Sequence, residues 1–216
     1  MLVRERMTPN PITVTADTTV PVALRLMRER KVRRFPVLDE RGQLVGIVSD
    51  KDLLYASPSP ATTLAVWEIP ELLAKIKVAD VMSREVVSVP DDTPLEEAAR
   101  IMADRHIGCL PVMRGRELVG IITETDLFKV FLQLLGGRRR GVRVTVAIPD
   151  AKGTLARITQ AIFDAGGDIV GLGFSESTGT GGALWEMTFK VQDVPREQLV
   201  EAIRPVVTEV LDVREM

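Results

Sequence analysis

One segment of this chain returns after an almost constant shift, and that repeat limits the possible folds more than any other feature. Met7-Thr8 reappears as Met82-Ser83, Ile12-Thr13-Val14 as Val87-Ser88-Val89, and Asp17-Thr18 as Asp92-Thr93, each 75 residues on. Leu44-Val45-Gly46-Ile47-Val48 reappears as Leu118-Val119-Gly120-Ile121-Ile122 after 74, so the second copy lacks one residue in the turn before that strand. Two copies in register predict two pseudo-symmetric units that share a fold.

Within each copy the apolar spacing changes period in the same order. Val20, Ala23, Leu24 and Met27, matched by Leu95, Ala98, Ala99 and Met102, follow the i, i+3, i+4, i+7 rule of an amphipathic helix. Thr18 and Thr93 stand just before these helices as N-caps or turn residues. Phe35-Pro36-Val37-Leu38 and Leu110-Pro111-Val112-Met113 read as strands, followed by turns at Gly42 and Gly115 and by the strands at Gly46 and Gly120. Both copies close on a strand-to-helix junction: Gly46-Ile47-Val48-Ser49-Asp50-Lys51-Asp52 and Gly120-Ile121-Ile122-Thr123-Glu124-Thr125-Asp126. Each copy therefore reads β-α-β-β-α.

A stretch longer than a simple loop separates the copies, with a helix expected after Ser57-Pro58-Ser59-Pro60 and Trp67 as its packing anchor. After the second copy, Gly136-Gly137-Arg138-Arg139-Arg140-Gly141 reads as a flexible charged break; its arginines belong either to a solvated linker or to a phosphate or acidic-partner contact, the first being favoured. Beyond it, Val142, Val144, Val146 and Ile148 alternate as a strand, and Leu155, Ile158 and Ile162 mark a helix face ending at Ala165-Gly166-Gly167. Strands over 169–174 and 183–191 flank a Ser/Gly-rich turn, a helix starts after Pro195, and 207–213 is a last strand. The order is βαββαβ, a ferredoxin-like arrangement. Trp185, Met187, Phe189 and Val191 share one strand face, as core or dimer surface. The Gly-rich turn lacks a Gly-Lys-(Ser/Thr) ending and is a hairpin, not a P-loop. The resulting boundaries are 1–56 and 78–136 for the two copies, 57–77 for the connector, 137–141 for the linker and 142–216 for the last domain.

Composition narrows the function classes. The single cysteine, Cys109, cannot form an internal disulfide, and the single histidine, His106, cannot build a Cys/His metal cluster or a conventional triad. His106 reads as a cap or surface residue at a helix end, Cys109 as a small buried hydrophobe. A formal charge of −2 gives no long-range attraction to nucleic acid. The N-terminus is charged where a signal peptide needs an apolar run, and no run of about 18 apolar residues occurs, so a cytoplasmic protein without a membrane role is expected. No carboxylate accompanies a nucleophile, metal set or cofactor loop, so no enzyme, metal site or obligatory cofactor is expected.

The element order, the apolar-Pro-Val strand and the Gly-x-x-(Ser/Thr)-x-x-Asp endings together resemble the CBS domain, which occurs as a tandem pair. Asp150-Ala151-Lys152-Gly153-Thr154-Leu155, followed by Gly167-Asp168-Ile169, is similar to the ACT domain, with Lys152 where that family has proline and Asp168 where it has asparagine. The fold implied is α+β: a CBS-domain pair followed by a ferredoxin-like, ACT-type domain. The order of domains and the connector look like the acetoin-utilisation regulator family of paired CBS proteins.

The CBS resemblance implies an adenine nucleotide or adenosyl ligand, AMP, ADP, ATP or S-adenosylmethionine, in the cleft between repeats. Asp52 and Asp126 would hold ribose hydroxyls and Ser49 and Thr123 would lie near ribose or phosphate, with Thr13 in the same set. Ser49-x-x-Asp52 and Thr123-x-x-Asp126 also fit capping boxes, so helix initiation is a second explanation for both pairs. Arg33 and Arg34 stand where such copies place phosphate ligands, or belong to a solvated charge run; the second copy has Gly108 and Cys109 there, so the two sites are unequal. Gly153 would let a ligand carboxylate approach backbone amides, or is a turn glycine needing positive φ. The implied protein is a non-catalytic, homodimeric regulatory sensor acting on the ACT-like domain or a partner enzyme. The other reading is a ligand-free structural or docking subunit.

Overall fold

A computed structural model describes residues 1–56, 75–176 and 184–216, and two compact units divide it, Met1–Leu127 and Phe128–Met216. The expected connector helix with Trp67, and most of the Ser/Gly-rich turn, lie outside the described residues.

The first unit holds both repeats. After β1 (Thr8–Pro9), the first consists of β2 (Val14–Thr15), α1 (Val20–Arg30), β3 (Arg34–Leu38), β4 (Leu44–Ser49) and α2 (Asp50–Tyr55). A short α3 (Val78–Val81) leads into the second: β5 (Val89–Pro90), α4 (Leu95–Arg105), β6 (Cys109–Arg114), β7 (Glu117–Thr123) and α5 (Glu124–Leu134). This is the order read from the repeat. In each copy the first strand runs parallel to the second and the second antiparallel to the third, with Val14↔Val37 and Phe35↔Val48 matched by Val89↔Val112 and Leu110↔Ile122. Val20, Ala23 and Met27 bury one stripe of α1, and Leu95, Ala98 and Met102 the same stripe of α4. Both helices stop on a non-glycine residue in the left-handed region, Lys31 and His106, each at φ 54. Their N-caps are Thr19 and Pro94, one position later than the threonines named from sequence; the Thr18 hydroxyl accepts the Thr15 N–H instead and shapes the turn.

The repeats are interleaved. β1, at the start of the first copy, pairs with β7 of the second at Thr8↔Ile121, and Ser83, near the start of the second, bridges Ile47 of the first through two N–H···O bonds of 2.9 Å. Met7 and Met82 follow the same exchange: a Cβ on Gly120 would collide with the Met7 sulfur, and one on Gly46 with the Met82 sulfur. Glycine at both positions permits this close approach.

The second unit adds β8 (Val142–Pro149), α6 (Thr154–Asp164), β9 (Asp168–Glu176), β10 (Leu184–Gln192), α7 (Arg196–Ile203) and β11 (Glu209–Glu215) to the last turns of α5. Its antiparallel sheet has the order β11-β8-β10-β9. Val142, Val144, Val146 and Ile148 face a core shared with Met187, Phe189, Val191, Ile158, Ile162, Leu199 and Ile203. The alternating face of β10 is thus core. Leu155, expected on the buried face of α6, is 40% exposed; Thr154, one turn before Ile158, is buried in its place and bonds the Ala151 carbonyl.

Candidate functional site

The two strand-to-helix junctions carry the same local chemistry. In the first, the Asp52 carboxylate accepts the Ser49 backbone N–H at 2.8 Å and the Ser49 hydroxyl at 2.7 Å, while the Asp52 N–H reaches back to that hydroxyl at 3.3 Å. In the second, Asp126 accepts the Thr123 N–H at 3.1 Å and the Thr123 hydroxyl at 2.7 Å. The capping expected from sequence is therefore present in both copies. In each junction both capping bonds end on Oδ2 of the aspartate. All four residues are half-buried, at the surface and not sealed in the core.

The strand ahead of each junction completes it. Arg34 lies opposite Ser49 in the β3–β4 register, and Cys109 opposite Thr123 in the β6–β7 register. The Asp50 N–H donates to the Arg33 carbonyl at 2.9 Å, and the Glu124 N–H to the Gly108 carbonyl at 3.3 Å. These equivalent bonds anchor the first residue of α2 and of α5.

Their side chains differ, and the difference joins the copies. The Arg34 guanidinium reaches the second repeat, 2.5 Å from the point where a Cβ on Gly108 would begin; a Glu124 carboxylate oxygen is 2.9 Å from the same point. An arginine of the first copy and a glutamate of the second thus converge on a residue that has no side chain. Burial pushes the Cys109 thiol up to about 11, opposed by the Arg34 charge and reinforced by Glu124, so this cysteine is a neutral thiol at physiological pH. Sequence reading missed Glu124 and the role of Gly108. Both lay inside the aligned repeat, opposite Asp50 and Arg33, but nothing in the spacing shows a side chain crossing from one copy to the other.

The remaining predicted residues divide. Thr13 is half-buried immediately before β2. Arg33 is exposed and lines a cavity of about 400 Å³ with Arg28, Lys31 and Asp50, so it and Arg34 serve different surfaces. His106 is the exposed cap of α4. Gly153 lies in the second unit, at φ +83, where a Cβ would meet no atom within 4 Å; the positive φ of a turn glycine is what it supplies at the start of α6. No group of three or more metal-ligating side chains occurs among the described residues. Among the same residues no helix is long and apolar enough to cross a membrane.

A duplicated β-α-β-β-α unit, exchanging its leading segments and ending each copy on a capped Ser/Thr-x-x-Asp junction, defines a tandem pair of like domains. The CBS domain family matches residues 3–59 and 78–133, more than half of the chain, and this protein belongs to it. Among solved structures it resembles a Vibrio cholerae protein assigned to acetoin utilization (AcuB), at 34% identity and a TM-score of 0.52, over 64% of this chain and 95% of that one. CBSX2 of Arabidopsis thaliana in complex with AMP is 36% identical, with a TM-score of 0.51 over 61% of this chain and 96% of that one. A CBS domain pair in complex with 5′-methylthioadenosine and S-adenosyl-L-methionine is 26% identical, with a TM-score of 0.52 over 64% of this chain and 98% of that one.

Proposed function

We propose that the chain is a non-catalytic regulatory sensor that binds an adenine nucleotide or related adenosyl ligand, AMP, ADP, ATP or S-adenosylmethionine, in the cleft between its CBS repeats. The observation that carries this reading is the duplicated junction in which capping holds the aspartate carboxylate through a single oxygen. A carboxylate fixed in this way can accept hydrogen bonds from a vicinal diol without reorganising. Binding of AMP by CBSX2, and of two adenosyl compounds by the other CBS pair, supports the ligand class.

The phosphorylated ligand belongs to the first junction, where Arg34 and Ser49 are neighbours. Asp52 and Asp126 hold ribose, with Ser49, Thr123 and Thr13 beside them. Residues 142–216, after the linker 137–141, form an ACT-type domain whose βαββαβ order supports that reading. Occupancy of the cleft biases this domain or a regulated enzyme by favouring one packing of the repeats over another. The protein works in the cytoplasm as a homodimer, and its likeness to AcuB points to acetoin metabolism.

Calorimetric titration of the full chain with the four ligands tests the reading. Saturable binding of at least one is expected. No heat with any of them overturns it and favours a docking subunit that binds no nucleotide.

A further inference from the structure

We propose a second ligand site, at the end of α5, that takes a small molecule bearing two or more phosphate-type negative charges. It stands on different residues from the junctions and does not rest on the reading of them. Lys129 and Gln133, one turn apart on α5, face a cavity of about 540 Å³ together with Arg138 and Arg139. Among the described residues, the lining contains three cationic side chains and no carboxylate.

The backbone that carries the two arginines is hydrogen-bonded on both sides. Gly136, at φ +62, ends α5: its N–H donates to the Gln133 carbonyl at 3.2 Å and the Gly137 N–H to the Leu132 carbonyl at 2.7 Å. That pair of bonds is a Schellman stop, which occupies carbonyls that would otherwise repel an anion. The Arg139 N–H then donates to the Gly136 carbonyl at 3.0 Å, turning Arg138 and Arg139 back toward the helix. The Val170 carbonyl lies 2.9 Å from the point a Cβ on Gly136 would occupy, so β9 holds the turn from below. Past it, the Arg140 carbonyl accepts Gln192 Nε2 at 2.6 Å, and Gly141 and Met216 exchange N–H···O bonds of 2.9 and 3.0 Å.

On the neighbouring strands the arginine side chains are already partnered. Arg143 stands in register with both Lys190 and Arg214, and one carboxylate, Asp212, accepts from both arginines at 2.9 Å. Two guanidinium groups in one lining suit bidentate contact with phosphate oxygens, and the Gln133 amide adds a donor. A single concave pocket on a chain of net charge −2 suits a small phosphorylated molecule better than a nucleic acid, which requires an extended basic surface.

Calorimetric titration of the full chain with inorganic pyrophosphate, at low and at moderate salt, tests the site. The wild type should bind saturably and more weakly at higher salt. The double variant Arg138→Gln/Arg139→Gln should bind at least tenfold more weakly with an unchanged melting temperature, while Lys152→Gln binds as wild type. Absence of saturable binding, equal affinity in the double variant, or binding of duplex DNA in place of pyrophosphate overturns the proposal. A chain that binds pyrophosphate at Arg138 and Arg139 but ignores every adenosyl ligand keeps this site and loses the sensor reading.

Discussion

The guanidinium of Arg34 lies 2.5 Å from the point where a side chain on Gly108 would start, so the first repeat places its charge over the second where residue 108 has no side chain. Gly108→Ala should push Arg34 away from the junction. A hydrogen bond to a charged group is worth about 1.5 to 3 kcal/mol, so AMP affinity should fall about tenfold or more in calorimetry while adenosine affinity stays the same. Arg34→Gln should do likewise. Equal losses for AMP and adenosine would remove Arg34 from the phosphate contact.

The reciprocal packing of Met7 on Gly120 and Met82 on Gly46 makes a stability prediction. Gly46→Ala and Gly120→Ala should each overpack the contact between repeats and cost about 1 to 3 kcal/mol, read from urea denaturation. A second substitution, Met82→Ala or Met7→Ala respectively, should recover part of the loss. If the single variants are as stable as wild type, the methionines yield freely and the interleaving is not tightly packed.

Ser49→Ala removes both the hydroxyl bond to the Asp52 carboxylate and the acceptor for the Asp52 N–H. Loss of such a cap costs about 1 kcal/mol, visible as a lower denaturation midpoint. Ser49→Thr should retain most of that stability. A Ser49→Ala variant as stable as wild type would show that the cap does not hold α2.

Most of the fold was legible because the repeat was. Aligned copies gave the order of elements, and alternation at Val142, Val144, Val146 and Ile148 gave the first strand of the second unit. The interleaving was not legible, since Thr8 and Ser83 begin their own copies in sequence and only the three-dimensional pairing joins each to the other one. Of the site, the capping pairs followed from spacing alone. Glu124 did not, because Arg34, which comes close to the same point over Gly108, is 90 residues away in sequence. Leu155 fitted the apolar period but lost its place to Thr154, whose hydroxyl bond makes burial tolerable.

Cys109 gives a pH signature. Its ordinary value is 9.0 and its folded value about 11, so folding favours the protonated thiol. That contribution is fully present below about pH 9 and is lost as pH rises toward about 11, because the unfolded chain ionises first. Alkylation by iodoacetamide at pH 8 should be slow in the native protein and fast after unfolding, and Cys109→Ala should flatten the alkaline fall in stability. Rapid native alkylation would contradict the burial.

The central claim is that a capped carboxylate doubles as the ribose ligand, and Asp52→Asn separates the two roles. Asparagine keeps a side-chain oxygen for the Ser49 N–H but loses the charge and one of the two acceptors offered to a diol. The measurement is thermal unfolding of wild type and Asp52→Asn with and without AMP at 100 times the wild-type Kd, where native-state binding stabilises by about 2.7 kcal/mol. The account predicts a matching melting temperature without ligand, a clear upward shift with AMP in the wild type, and little or none in Asp52→Asn. An equal AMP shift in both proteins would contradict it, leaving Asp52 as a cap alone.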